Sequence, residues 1–177
     1  MDKKALRKQI REQKRAMTPE QIESASQKLK ELFLATDQYR RAKTVYGYLP
    51  YNQEVRTVPM LEQALRDGKR VAVPKCYGDE MKFIFMEDLS KVEKGYANIP
   101  EPIADEPVAD DSTALVLMPG MAFTKDGKRM GYGGGFYDKF LAAEPDHPTV
   151  ALCYDFQMVE DLPTEDYDIP VDCVLWA

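Results

Sequence analysis

Residues 118–141 read MPGMAFTKDGKRMGYGGGFYDKFL, and the fold is read outward from this stretch. The apolar run Ala114 to Met118 enters it and reads as a buried strand. A Pro119-Gly120 turn follows, then a loop of cations and glycines from Lys125 to Gly135, and a helical pattern opens at Phe136-Tyr137-Asp138. Gly131, Gly133, Gly134 and Gly135 fall within five positions. Backbone without Cβ atoms can bring its N–H groups close to a ligand. Amides gathered at a helix start favour an anion, most often a phosphate. A structural turn is the competing reading, and the neighbouring Lys125, Lys128 and Arg129 shift the balance toward a phosphorylated ligand. The stretch is no Walker A loop, because it lacks Gly-Lys-Ser/Thr, and Phe136 stands where a dinucleotide fingerprint needs its third glycine. Asp138 has two readings: a charge suited to the positive helix end, or a Mg²⁺ contact against bound phosphates.

On the N-terminal side, residues 2–16 hold good helix formers with no Gly or Pro. Leu6, Ile10 and Met17 mark an apolar edge, and Lys3, Arg7, Arg11 and Lys14 a basic one, which by spacing alone reads as a solvated face. Thr18-Pro19-Glu20-Gln21 predicts a capping box opening a second helix to about Ala35, with Ile22, Ala25, Leu29, Leu32 and Phe33 as its buried stripe. Strands are predicted at Thr44 to Leu49, at Arg70 to Val73 closed by Pro74, at Met81 to Met86, at Leu115 to Met118, at Thr149 to Tyr154 and at Cys173 to Trp176. Helices are predicted at Val58 to Arg66 and Phe136 to Ala143, and residues 87–112 read as a long surface connection. Alternating strands and helices predict an α/β fold, a mostly parallel or mixed sheet with helices on both faces. Ligands then sit beyond the carboxyl ends of strands, so loops 50–56, 119–135 and 155–170 are natural site walls.

Composition narrows the function. A chain of 177 residues with 44% hydrophobic and 31% charged content predicts one globular domain over 1–177. No run approaches the ~18 apolar residues of a membrane span. Cys76, Cys153 and Cys173 are odd in number and far apart, so they read as buried free thiols of a reducing, cytoplasmic setting. His147, between prolines, reads as a surface residue. The net charge of −6 conceals an asymmetry: residues 1–43 carry 12 Lys and Arg against 6 acids, and residues 44–177 carry 12 against 24. A nucleic-acid binder shows a broad basic face. Positive charge concentrated in the first helix and the 125–139 loop suits a small anion better.

The motifs also carry a resemblance. PGMAFTKDGKRMGYGGGFYDKFL resembles the signature of the 5-formyltetrahydrofolate cyclo-ligase family, also called 5,10-methenyltetrahydrofolate synthetases. Lys3 to Arg7 resembles its K-x-x-L-R, Leu49 to Glu54 its first strand-loop, Asn98 to Pro102 its N-I-P-x-P, and Asp168 to Asp172 its D-x-x-V-D. The order is kept over nearly the whole chain. The resemblance implies a three-layer α/β/α domain similar to sugar-phosphate isomerases and CoA-transferases, with the helical segment 2–35 packed on the core. It also implies ATP- and Mg²⁺-dependent closure of 5-formyltetrahydrofolate to 5,10-methenyltetrahydrofolate, releasing ADP and phosphate. No nucleic acid or membrane partner is implied, and the chain is expected to be a monomer or weak homo-oligomer.

Residue by residue, the resemblance assigns ATP contacts to Lys3, Lys4, Arg7, Lys128, Arg129, Met130, Gly131, Tyr132, Gly133, Gly134, Gly135, Phe136 and Tyr137. Arg129 and Tyr137 are the catalytic candidates. Leu49, Glu54 and Tyr132 match substrate positions, and Asp138 and Asp168 match Mg²⁺ positions. Tyr48, Tyr51, Phe83, Phe85 and Trp176 are candidate flat walls or core residues. Two departures stand out. Some family members carry Arg or Lys where this chain has Tyr132 and Gly134, and Phe136 replaces the first tyrosine of a common Tyr-Tyr-Asp. A CoA-transferase or a non-catalytic RNA-associated relative would fit the same fold, but neither a nucleophilic-glutamate motif nor an added RNA-binding module is seen.

Overall fold

The structure is a computed structural model that describes residues 2–177. Two helices open the chain, α1 (Lys3–Arg15) and α2 (Pro19–Leu34), followed by a short α3 (Asp37–Arg41). Asp2 caps α1 by accepting from the Ala5 N–H at 2.7 Å. Thr18 and Gln21 form the expected capping box on α2, each side chain satisfying the other's backbone N–H. The α/β part then runs β1 (Thr44–Tyr46), α4 (Val58–Arg66), β2 (Arg70–Tyr77), β3 (Glu80–Phe85), β4 (Val92–Lys94), β5 (Pro100–Pro102) and β6 (Leu115–Met118). It ends with β7 (Ala122–Phe123), β8 (Arg129–Met130), α5 (Phe136–Ala143), β9 (Thr149–Cys153) and β10 (Cys173–Trp176).

Six strands form the central sheet in the order β10-β9-β6-β1-β2-β3. All neighbours are parallel except the β2–β3 hairpin. Alternate residues feed opposite faces. Val45, Val71, Leu115, Leu117, Val150 and Leu152 meet Leu29 and Phe33 of α2 and Met60, Leu61 and Ala64 of α4. Tyr46, Ala72, Val116, Met118, Ala151 and Cys153 face the other way, toward Leu141 and Phe140 of α5. Ile10 of α1 packs on Met121, Ala122, Met130 and Leu162, so the first helix is seated on the loop that follows β6. β1 has β2 on one side and β6 on the other. From β1 the chain crosses on one face to β2, and from β6 it crosses on the opposite face to β9. The strand order therefore reverses between β1 and β6, and open α/β sheets bind ligands at such a reversal.

Several local expectations are corrected. Leu32 is 45% exposed, and the buried stripe of α2 is Ile22, Ser26, Leu29 and Phe33, with Ala25 half-buried. β2 does not end at Pro74 but continues to Tyr77 against β3. Pro74 lies beyond Ala72, the last residue paired with β1, so its missing N–H interrupts no parallel ladder. β1 stops at Tyr46, and Gly47 to Leu49 continue as buried irregular backbone. Within residues 87–112, β4 and β5 pair as a small antiparallel flap. His147 is buried, not at the surface: its Nδ1 lies 2.7 Å from the Ala114 carbonyl, its Nε2 lies 2.9 Å from Glu144 Oε1, and its ring stacks on Phe140. Of the three free thiols only Cys153 is fully buried; Cys76 and Cys173 are half-buried. No helix among the described residues is long and apolar enough to cross a membrane.

Candidate active site

A cleft of about 690 Å³ opens at the strand-order reversal. The loop after β1 supplies Leu49, Tyr51 and Glu54, and the segment after β6 supplies Pro119, Arg129 and Gly131 to Asp138. α1 lays Lys3, Arg7, Arg11 and Lys14 along one side, so the basic edge of that helix is a cleft wall. Residues 167–168 close a third side, and the β4–β5 flap adds Tyr96, Ile99 and Glu101.

Arg129 is the most constrained cation in the cleft. Its side chain is only 7% exposed. Nε donates to the Pro119 carbonyl at 2.7 Å, Nη1 lies 3.6 Å from Asp138 Oδ2, and the guanidinium sits 5.6 Å from the Tyr137 ring centre. β8 fixes its backbone through Phe123, and Gly131 makes room for its head: a Cβ there would come within 3.1 Å of Arg129 Nη2. Gly135, at φ +70°, turns the chain into α5, a left-handed conformation that glycine adopts without strain. Burial lowers the Arg129 pKa, and the Asp138 carboxylate acts in the opposite direction. Two buried polar atoms of cleft-lining residues have no hydrogen-bond partner among the described residues: Arg7 Nε and the Tyr137 hydroxyl. Burial raises the Tyr137 phenol above its ordinary value, so the group stays a neutral donor.

The opposite corner is closed on itself. Glu54 Oε1 accepts from the Tyr51 N–H at 2.8 Å, and Oε2 accepts from the Tyr132 hydroxyl at 3.1 Å. Lys14 Nζ donates to the same hydroxyl at 3.4 Å. The Tyr132 ring is exposed, but its hydroxyl reaches down to Glu54 and the Gly120 carbonyl. Burial raises the Glu54 carboxyl pKa, opposed chiefly by the Lys14 charge. Leu49, buried, and Tyr48 supply the apolar floor.

The cleft gathers Lys3, Arg7, Leu49, Glu54, Arg129 to Asp138 and Asp168. Two cations predicted to be ATP contacts stand outside it. Lys4, one residue from Lys3 and so turned about 100° from it around α1, is exposed and lines no part of the cleft. Lys128, just before β8, is paired with Asp161 at 2.7 Å and lines no part of the cleft. Lys125 is also outside, 5.9 Å from the Trp176 ring centre. Phe85 and Trp176 line no part of the cleft, and Phe83 is core. Sequence reasoning did not assign the flap: Tyr96, edge-on to Phe136 with ring centres 5.2 Å apart, is tied to the glycine loop. The Asn98 to Pro102 motif was the available signal.

The residues fit a nucleoside triphosphate, because the two unpartnered donors, Arg7 Nε and the Tyr137 hydroxyl, and the cations Lys3 and Arg129 line the same cleft. Asp138 and Asp168 both face the cleft, and Mg²⁺ prefers one or two carboxylates completed by phosphate oxygens and water. No group of three or more potential metal ligands occurs among the described residues. Asp138 also holds Arg129 and accepts from the Ile169 N–H at 3.3 Å, so a bound cation would share that carboxylate.

An open α/β sheet whose strand-order reversal opens into a cleft lined by cations and by the half-buried carboxylate of Glu54 has the layout of a small-molecule enzyme. The chain belongs to the 5-formyltetrahydrofolate cyclo-ligase family, whose model matches residues 1–177. It is 32% identical over 173 residues to the 5-formyltetrahydrofolate cyclo-ligase of Escherichia coli K12, covering 94% of this chain and 95% of that one. The NMR structure of Aquifex aeolicus 5,10-methenyltetrahydrofolate synthetase superposes with a TM-score of 0.85 at 28% identity, over 99% of this chain and 90% of that one. The synthetase from Mycoplasma pneumoniae gives a TM-score of 0.77 at 26% identity, with 98% of each chain covered.

Proposed function

We propose that the two walls of the cleft hold the two substrates of the family reaction: ATP with Mg²⁺ on the α1 and glycine-loop wall, and 5-formyltetrahydrofolate on the Glu54 wall. As a family member the protein is a ligase that converts 5-formyltetrahydrofolate to 5,10-methenyltetrahydrofolate. The observation that supports the division most is the pair of buried, unpartnered donors, Arg7 Nε and the Tyr137 hydroxyl, in a cleft already lined by Arg129. An unsatisfied buried donor is costly, and a phosphate oxygen satisfies it.

The formyl carbon on N5 is amide-like and resists attack by N10. The formyl oxygen attacks the γ-phosphorus, ADP leaves, and the oxygen becomes part of a phosphate leaving group. N10 then attacks the formyl carbon and loses its proton, the five-membered ring closes, and the C–O bond breaks to release phosphate. Positioning and charge neutralisation dominate such chemistry. Lys3 and Arg7, one turn apart on α1, reach the phosphates. The amides of Gly131 to Gly135 cradle them, and Arg129 neutralises charge that builds on the transferred group. Asp138 and Asp168 would hold Mg²⁺, which would supply further neutralisation. Glu54 accepts the adjacent 2-amino and N3 hydrogens of the pterin, with Leu49 and Tyr132 beside it. Lys4 and Lys128 take no direct part. All of these groups come from one chain, which suits a monomer or weak homo-oligomer, and the three unpaired thiols suit the cytoplasm.

The test is to mix the protein with 5-formyltetrahydrofolate, ATP and Mg²⁺ and follow the long-wavelength absorbance of the methenyl product. The expected result is a rise that requires ATP. No rise, where an established cyclo-ligase produces one, contradicts the reading.

A further inference from the structure

Lys14 is a lysine out of place on a helix wall of exposed cations. Arg11 and Arg15, on the same wall, are exposed, but Lys14 is only 8% exposed and turned into the cleft. An ammonium has three donors and is almost never fully buried without partners. Among the described residues its one hydrogen bond is the 3.4 Å contact to the Tyr132 hydroxyl, so most of its donor capacity is unused. The same hydroxyl donates to Glu54 Oε2 at 3.1 Å, so carboxylate and ammonium stand one hydroxyl apart. Lys14, Glu54 and Tyr132 also border one small void in the floor of the cleft, beside Gly120 and Gln157.

The chemistry of the substrate gives this arrangement a use. On the pterin edge the 2-amino group and N3–H are donors, and the 4-oxo oxygen next to N3 is an acceptor. A carboxylate matches the two donors and leaves the oxo group needing a donor of its own. We propose that Lys14 is a further substrate-recognition residue, its ammonium donating to the 4-oxo oxygen of the pterin while Glu54 holds the neighbouring N–H groups. The inference rests on the reading of Glu54 as the pterin grip. A basic side chain near the cleft rim can alternatively serve the glutamate carboxylates at the other end of the folate. Arg11 and Arg15, exposed and on the same wall, suit that role better than a buried lysine does. Burial lowers the Lys14 pKa while Glu54 raises it, the pattern of a cation held by its carboxylate neighbour.

The experiment uses a tetrahydropterin that lacks the aminobenzoyl-glutamate tail, as a competitive inhibitor of the full-length enzyme. Its inhibition constant is measured for wild type, Lys14→Met, Lys14→Arg and Glu54→Gln, alongside the KM for ATP and the melting temperature of each. Loss of a hydrogen bond to a charged group is expected to raise the inhibition constant of Lys14→Met about tenfold or more. Lys14→Arg should recover part of that loss, and the KM for ATP should stay within about twofold. An unchanged inhibition constant in Lys14→Met together with a raised one in Glu54→Gln overturns the role of Lys14 and leaves the pterin grip standing. An unchanged value in Glu54→Gln overturns the grip itself. If the full folate loses affinity to Lys14→Met but the truncated pterin does not, the lysine serves the tail and the inference is wrong. A fall in ATP affinity matching that for pterin, with a lowered melting temperature, assigns Lys14 to packing and also overturns it.

Discussion

The two walls of the cleft hold their polar groups in opposite ways. On the side made by the glycine loop and the start of α1, Arg129 is fixed by Pro119 and Asp138, while Arg7 Nε and the Tyr137 hydroxyl are buried with no partner among the described residues. On the other side, the Glu54 carboxylate is already bonded by Tyr51 and Tyr132 before any ligand arrives, with Lys14 on the same Tyr132 hydroxyl. The first wall is preorganised but incomplete, so a polyanion can complete it without displacing a protein bond. On the second the carboxylate is already occupied, so a ligand enters by exchange, taking over the bond that Tyr132 makes to Glu54. The difference predicts that the first wall is sensitive to loss of charge and the second to loss of hydrogen-bond pattern.

The largest effect should come from the first wall. Arg129→Ala should lower turnover about 10²-fold or more, because one preorganised charge-stabilising donor is typically worth that much. Steady-state kinetics at saturating folate and ATP check it, and an unchanged rate would make Arg129 a structural residue only. Next comes the second wall. Glu54→Gln keeps the shape and one acceptor but loses the charge, and should weaken folate binding about tenfold or more with little change in the KM for ATP. Equal loss of both would erase the distinction between the walls.

The fold was largely legible in the sequence, because its signals were local. Capping at Thr18 and Gln21, the β-branched and aromatic run at β1 and the strand–glycine loop–helix unit each announce themselves within a few residues. What was not legible depended on partners distant in sequence. His147 is buried because Ala114 offers a carbonyl 33 residues away, and Lys128 leaves the cleft because Asp161 claims it. Lys14 looked like any other member of a solvated edge until Tyr132 and Glu54 were brought to it. The flap was read as a connection because β4 and β5 are three residues each, too short to show a period.

Two finer effects sharpen the comparison. Gly131→Ala places a Cβ about 3.1 Å from Arg129 Nη2, close enough to displace a guanidinium head by a few tenths of an ångström. Turnover should fall several-fold, roughly 1 kcal/mol in the barrier, with the melting temperature almost unchanged. A loss as large as that of Arg129→Ala would instead mean that the loop backbone is the main phosphate contact. The smallest effect concerns pH. Burial raises the Glu54 pKa, so in the interval between its ordinary and its raised value the folded chain holds a proton that the unfolded chain has lost. The stability contributed by that protonated group is full below the ordinary value and declines as pH rises through the raised one. Folate affinity should run the other way, weakening as pH falls through the same interval because the protonated carboxyl loses an acceptor. Melting temperature and folate affinity measured across roughly pH 4 to 7 for wild type and Glu54→Gln check both slopes, which the variant should lack. If the wild-type and variant profiles coincide, Glu54 is not a buried titrating group.

The division of the cleft into two separately addressed walls is tested most directly by crossed equilibrium titrations of Arg129→Ala and Glu54→Gln with each ligand alone. The prediction is that Arg129→Ala weakens binding of ATP with Mg²⁺ and leaves 5-formyltetrahydrofolate within about twofold of wild type, with Glu54→Gln giving the reverse. Loss of folate affinity in Arg129→Ala as large as its loss of ATP affinity, in a protein that melts like wild type, would contradict it.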